Sequence, residues 1–178
     1  MIHKEKSMEN LPQLKLRHPD LSKLPPLELP AGITIHSEQA DSAAVWEEII
    51  EDSFGAHHDY EKTMRERSGY RPEGVFFAAL DGVDSATAAA ILRDEHPGYG
   101  WIHMVGARSS ARGHKLGYYV VLAALHDMAE RGFTMAGLTT DDFRLPAIKT
   151  YLSLGFEPWM EHESHPGRWE AIYEKLKQ

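Results

Sequence analysis

The 178-residue chain contains no cysteine. That excludes disulfides, thiolate metal sites and a cysteine nucleophile, and it leaves the redox compartment open. No uninterrupted apolar stretch approaches the roughly 18 residues of a membrane span. The opening MIHKEKSMEN has no apolar core behind its charges, so it does not read as a secretory signal, and cytoplasm is the default location. Positive charge is also short: 19 Lys and Arg stand against 27 Asp and Glu, a net charge of -8. A surface of that sign repels nucleic acid, whose affinity comes mainly from neutralised phosphates, so neither nucleic acid nor membrane is expected as a partner. Internal repeats and a second-domain signal are missing too. What remains, 42% hydrophobic and 26% charged residues, suits one ordinary globular domain.

Where cations are scarce, their clustering is informative. Arg108, Arg112, His114 and Lys115 fall within eight positions, the first hint of an anion site.

Residues 1–30 hold five of the ten prolines, Pro12, Pro19, Pro25, Pro26 and Pro30. They predict an extended, partly polyproline-like arm lying over a domain of residues 31–178. Its first ten residues are expected to be mobile, and its leucines to pack on the body or on a second subunit, which leaves a homodimer open. GITIHS (32–37) alternates as a strand. Asp41 is the expected N-cap of a helix whose apolar face is Val45, Trp46, Ile49, Ile50 and Phe54, closed by Gly55. A loop and short polar helix follow over HHDYEKTMRERSGY. GVFFAAL, SATAAAILR and YGWIHMVGA (99–107) predict three strands joined by turns at DG and HPG. The stretch 117–131 is apolar almost all round, a helix buried against a sheet and capped by Gly132. FTMAGLTT (133–140) is a strand, LPAIKTYLSLGF a helix starting near Pro146 and ending at Gly155, and EPWMEH a short strand. Trp169, Ile172, Tyr173 and Leu176 recur at helical spacing, so the end is a helix. The element order implies a mixed α/β sheet.

A helix N-terminus has free N–H groups and a partial positive charge, and a loop feeding it can wrap a phosphate. RSSARGHKLG sits between a strand and the buried helix. It matches neither the Walker pattern, since Ala111 and Leu116 fall at required positions, nor G-x-G-x-x-G. It does match R/Q-x-x-G-x-G/A, with Arg112 first, Gly117 last and Lys115 departing from the fourth position. Downstream, Ala147, Tyr151, Gly155 and Phe156 match A-x-x-x-Y-x-x-x-G-F. With these two marks and the element order over about residues 32–162, the chain resembles the GNAT superfamily of acyl-CoA-dependent N-acyltransferases. Within it, the resemblance is to the general acetyltransferase branch that includes mycothiol synthase-like domains.

The resemblance implies a mostly antiparallel mixed sheet with a splayed central strand pair and helices on both faces. It implies acetyl-CoA as cosubstrate, with no metal, and a small-molecule or peptide amine as acceptor. Main-chain N–H groups of Arg112, Gly113, His114, Lys115, Leu116, Gly117 and Tyr118 would hold the pyrophosphate. Val105 and Ala107 would pair with the pantetheine arm, and Gly106 would suit a bulge there. Tyr151 would reach the thioester sulfur as a general acid, a phenol staying protonated at neutral pH; otherwise it is a packed helix aromatic. Arg144 stands where many members have asparagine, and that role is not transferred to it.

The oxyanion could use a strand N–H near Val105. For the base, His103 is one candidate: counting by twos, it shares a face with Trp101, Val105 and Ala107; the other reading is a histidine satisfied in the core. Asp141, with Asp142, could relay a proton, or simply favour a helix N-terminus. A water chain without a dedicated base is a further option. HHDY (57–60) and EHESHPGRW flank the expected acceptor site. HESH is not a zinc motif, and no metal site is expected. An N-acetyltransferase is the leading reading; a non-catalytic acyl-CoA-binding or interaction module is the alternative.

Overall fold

The computed structural model describes residues 11–93 and 95–177. The expectation of mobility for the first ten residues lies outside them. The strands are β1 (Leu14–His18), β2 (Ile33–Ser37), β3 (Val75–Leu80), β4 (Val83–Ile91), β5 (Tyr99–Ala107), β6 (Met135–Thr140) and β7 (Glu157–Trp159). The helices are α1 (Ser42–Phe54), α2 (Leu116–Glu130), α3 (Leu145–Ser153) and α4 (His165–Leu176). One seven-stranded sheet runs β2-β3-β4-β5-β6-β1-β7. Every pairing is antiparallel except β5 with β6.

The sheet separates two apolar layers. On one face α1 and a π-helical turn (Glu61–Arg65) bury Trp46, Ile49, Ile50 and Met64 against Phe77, Ala89, Ile91 and Trp101. On the other, α2, α3 and α4 bury Val120, Val121, Leu125, Ile148 and Trp169 against Ala86, Ala88, Ala90 and Ile102. The alanines of β4 explain this geometry: small side chains on both faces of a central strand let helices approach from either side. α1 ends as expected at Gly55, whose left-handed backbone (φ 72°) turns its N–H to Glu51. The Asp41 side chain, however, makes no cap hydrogen bond. α4 begins at His165, before its apolar stripe does.

The segment expected as an arm departs most from the sequence reading. It is extended, but residues 14–18 lie inside the sheet, between β6 and β7. Six residues free of proline separate Pro12 from Pro19, enough for an unbroken ladder. Leu14 and Leu16 point to the core and are fully buried. Beyond β1 the chain does cross the body: Leu21 is buried, and Leu24 and Leu27 pack against the α2 layer. The Pro25 carbonyl accepts from His126 Nε2 at 2.9 Å.

Candidate active site

β5 and β6 are paired only at their first residues, Tyr99 with Met135, Gly100 with Ala136 and Trp101 with Gly137. Beyond Trp101 they part. Gly137 is required at the fork, because a Cβ there would lie 2.4 Å from the Trp101 ring. The β5 edge over residues 102–107 thus faces a cleft instead of a neighbouring strand.

The same stretch carries a bulge. Ala89 pairs with His103 and Thr87 with Gly106, so Met104 and Val105 together oppose Ala88. Met104 takes the left-handed backbone, φ 50°. Gly106, expected to serve the bulge, instead makes room for α1: a Cβ would meet Ile50 Cδ1 at 2.8 Å. The extra residue also reverses the strand's alternation. Trp101 packs in the α1 layer, whereas Ile102, Val105 and Ala107 pack in the α2 layer, so Trp101, Val105 and Ala107 do not share one face.

β5 leads into the loop that opens α2. Arg108 is tied down: its N–H donates to the Ser85 carbonyl at 2.8 Å and its Nη2 to Glu48 at 2.8 Å. Ser109 donates through both N–H and Oγ to Asp52. These contacts remove Arg108 from the set of free cations but hold the loop rigid against α1. Arg112, His114 and Lys115 are exposed. The N–H groups of Arg112 and Tyr118 are spent on Ser109 and Lys115 carbonyls, the ordinary closure of a 3-10 turn and a first helical turn. Among the described residues, no protein acceptor meets the N–H groups of Gly113, His114, Lys115, Leu116 and Gly117. Gly113 (φ 90°) and Lys115 (φ 56°) both adopt left-handed backbone, so Lys115 does not occupy an ordinary helical turn. This concave run of donors at the N-terminus of a 15-residue helix fits an anionic diphosphate.

Between the splayed strands lies a pocket of about 130 Å³. Met104 and Val105 of β5, Thr140 of β6, Asp141, Arg144 and Tyr151 are among its walls. Tyr151 is buried, and burial pushes its phenol well above the usual range, with the Arg144 cation acting weakly the other way. Arg144 lies over the Phe54 ring, 3.6 Å from its centroid, and its Nε is 3.6 Å from Asp141 Oδ2. Asp141 also accepts from Gln13 Nε2 at 3.1 Å. Asp142 is held by Arg168, whose Nε donates at 2.9 Å, and does not line the pocket.

His103 lines this pocket and a larger one beside it. Burial, with the nearby Arg67 and Arg93 charges, drives its imidazole down to about 3 despite a hydrogen bond from the ring to the Thr63 backbone. Its Nε2 is buried without a partner among the described residues.

The larger cavity, about 410 Å³, opens on the α1 side of the sheet; Lys15, Arg67, Arg93, His96 and Thr139 help to line it. HHDY does not line either cavity. His58 packs on Phe54 and the Tyr60 hydroxyl donates to Glu38 at 2.6 Å. In the other expected flank, His162 bonds Ser164 and His165 turns to the Trp159 carbonyl. Lys15, Arg67, Arg93 and His96 escaped the sequence reading because they come from β1, a post-helix turn and a hairpin; no local spacing joins them.

Comparison with known proteins agrees with this geometry. The pattern of the Acetyltransferase (GNAT) family matches residues 42–156. Mycothiol acetyltransferase of Nocardia farcinica is 31% identical over 149 residues, which cover 76% of this chain and 49% of that protein. That of Thermomonospora curvata is 30% identical over 80% of this chain and 50% of its own length. The chain thus spans about half the length of the curated relatives it matches. Among solved structures, a GCN5-related N-acetyltransferase from Sphaerobacter thermophilus superposes with a TM-score of 0.66 at 22% identity, over 84% of this chain and 50% of that one. An aminoglycoside N-acetyltransferase in complex with CoA superposes with a TM-score of 0.58 at 19% identity, over 73% of this chain and 92% of that one. With its splayed β5 and β6, its bulge and its donor-rich loop, the chain belongs to the acetyltransferase (GNAT) family.

Proposed function

We propose that the protein transfers an acetyl group from acetyl-CoA to an amine by direct attack. The observation that carries this reading is the continuity of the cleft. Five free N–H groups, from Gly113 to Gly117, stand at the end of the same strand whose unpaired edge, with Val105 and Ala107, leads to Tyr151. Diphosphate, extended arm and thioester would fall in that order. Bound there, acetyl-CoA supplies the activated acyl group.

The chain's own residues then have separate tasks. Main-chain donors of the bulged strand, near Val105, would stabilise negative charge developing on the acyl oxygen. Tyr151 stays protonated and would donate to the departing sulfur, beside the Arg144 cation. His103 has too little proton affinity to serve as a base near neutral pH. Neutral and lining both cavities, it would instead form part of the wall against which the amine lies. Asp141 is engaged by Arg144 and Gln13, so the amine proton would leave through water in the cleft. The reading carries with it a cytoplasmic location and a small-molecule or peptide amine as partner.

Incubation with acetyl-CoA and a panel of amines, read by release of free thiol, tests it. Amine-dependent thiol release is expected. CoA binding without turnover on any amine would favour a non-catalytic CoA-binding module, and no CoA binding would reject both readings.

A further inference from the structure

Away from the loop that opens α2, cations also gather in a cavity of this acidic chain. The cavity of about 410 Å³ brings together Arg67, Arg93 and Lys15, in a protein of net charge -8. Their partners leave an excess of positive charge. Lys15 is balanced by Glu161. Arg93 Nε lies 3.5 Å from Glu95, which also lines the cavity but is 68% exposed, and its guanidinium lies 4.8 Å from the centroid of the Trp101 ring; the excess is thus the charge of Arg67. Arg67 has no acidic partner among the described residues; its Nε donates to the Thr63 carbonyl at 3.1 Å, which fixes the side chain and leaves its terminal nitrogens available. The effect is felt nearby: burial is the main cause that lowers His103 and His96, and the Arg67 and Arg93 charges add to it at His103, those of Lys15 and Arg93 at His96.

This cavity meets the smaller pocket at Gln13, His103 and Thr139, which line both. A molecule seated in it would have one end beside His103 and the other among the arginines. Guanidinium groups pair with carboxylate and phosphate through parallel hydrogen bonds. We propose that the acceptor is an amine carrying an anionic oxygen group, carboxylate or phosphate, bound by Arg67 and Arg93 while its amino group is presented at His103. This rests on the acetyl-transfer reading for its use, but not for its binding.

The test uses the full chain loaded with CoA and matched ligands: glucosamine 6-phosphate against glucosamine, and an amino acid against its carboxamide. Calorimetric binding is the first readout and thiol release from acetyl-CoA the second. At least one anionic member is expected to bind about tenfold or more tightly than its neutral partner, the worth of a charge-assisted hydrogen bond. The pair that shows the difference separates phosphate from carboxylate. Arg67→Gln with Arg93→Gln should abolish the preference, with CoA affinity and melting temperature retained. Equal or weaker binding of both anionic members, no binding of any member, or a preference that survives the double substitution, would overturn the proposal. Preferential binding without acetylation would leave the anion site standing and remove the transfer reading; acetylation without preference would do the reverse.

Discussion

Lys115 enters α2 with φ 56°, a region that costs an L-residue roughly 1–2 kcal/mol, where a glycine would be at ease. Glycine would return about 0.5–1 kcal/mol of that through the freedom it gives the unfolded chain. Lys115→Gly should therefore be neutral or stabilising by up to about 1 kcal/mol in urea unfolding, and Lys115→Val clearly destabilising. CoA affinity of the glycine variant should fall only modestly, because the loop's donors are main-chain; a strong gain would show that the side chain obstructs the site. At Tyr151 the outcome should be of another kind. The phenol is buried in the cleft and protonated, so Tyr151→Phe removes a proton donor but little volume. Turnover should fall about a hundredfold with the dissociation constant for CoA unchanged. An unchanged rate would take Tyr151 out of the acid role.

At the scale of elements, β1 carries more than its length suggests. It pairs with β6 on one side and β7 on the other, so without it two strand edges would be left open. A chain starting at residue 31 should fail to fold cooperatively or should aggregate, as judged by loss of a single thermal transition. Leu16→Ala should cost about 2–4 kcal/mol in urea unfolding, as for other buried leucines. An arm merely lying on the surface would give a small effect in both experiments. The alternation of LKLRH was visible in the sequence as a strand pattern, but the surrounding prolines dominated the reading. β5 poses the opposite problem: its length and type were legible, but its bulge was not. Gly106 looked like the bulge residue, and Met104, a poor choice by backbone preference, holds the left-handed turn.

Across the whole molecule, the burial that builds the cleft also links stability to pH. His103 is lowered from 6.5 to about 3 in the folded chain. Between those values the unfolded chain binds a proton that the folded chain refuses, so stability rises with pH there and is lost as pH falls. Unfolding free energy measured in urea from pH 7 down to pH 4 should drop less steeply in His103→Gln than in the parent chain. Equal slopes would show that His103 is not neutral by burial. Much of the candidate site was open to sequence reading for one reason: its parts are local. The loop from Arg112 to Gly117 and the Ala147–Tyr151–Gly155–Phe156 spacing are written within single turns and helices, and helix periodicity and strand alternation act over a few residues. Those features determined the order of the elements after residue 31 and the family, and they marked the loop proposed to hold CoA. What only the tertiary structure decided depends on contacts between distant segments. The insertion of β1 between β6 and β7, the exchange of faces after Met104, the neutral state of His103 and the cationic cavity drawn from Lys15, Arg67 and Arg93 each arise where separate elements meet. Burial and charge add up in space, and no spacing along the chain records that sum.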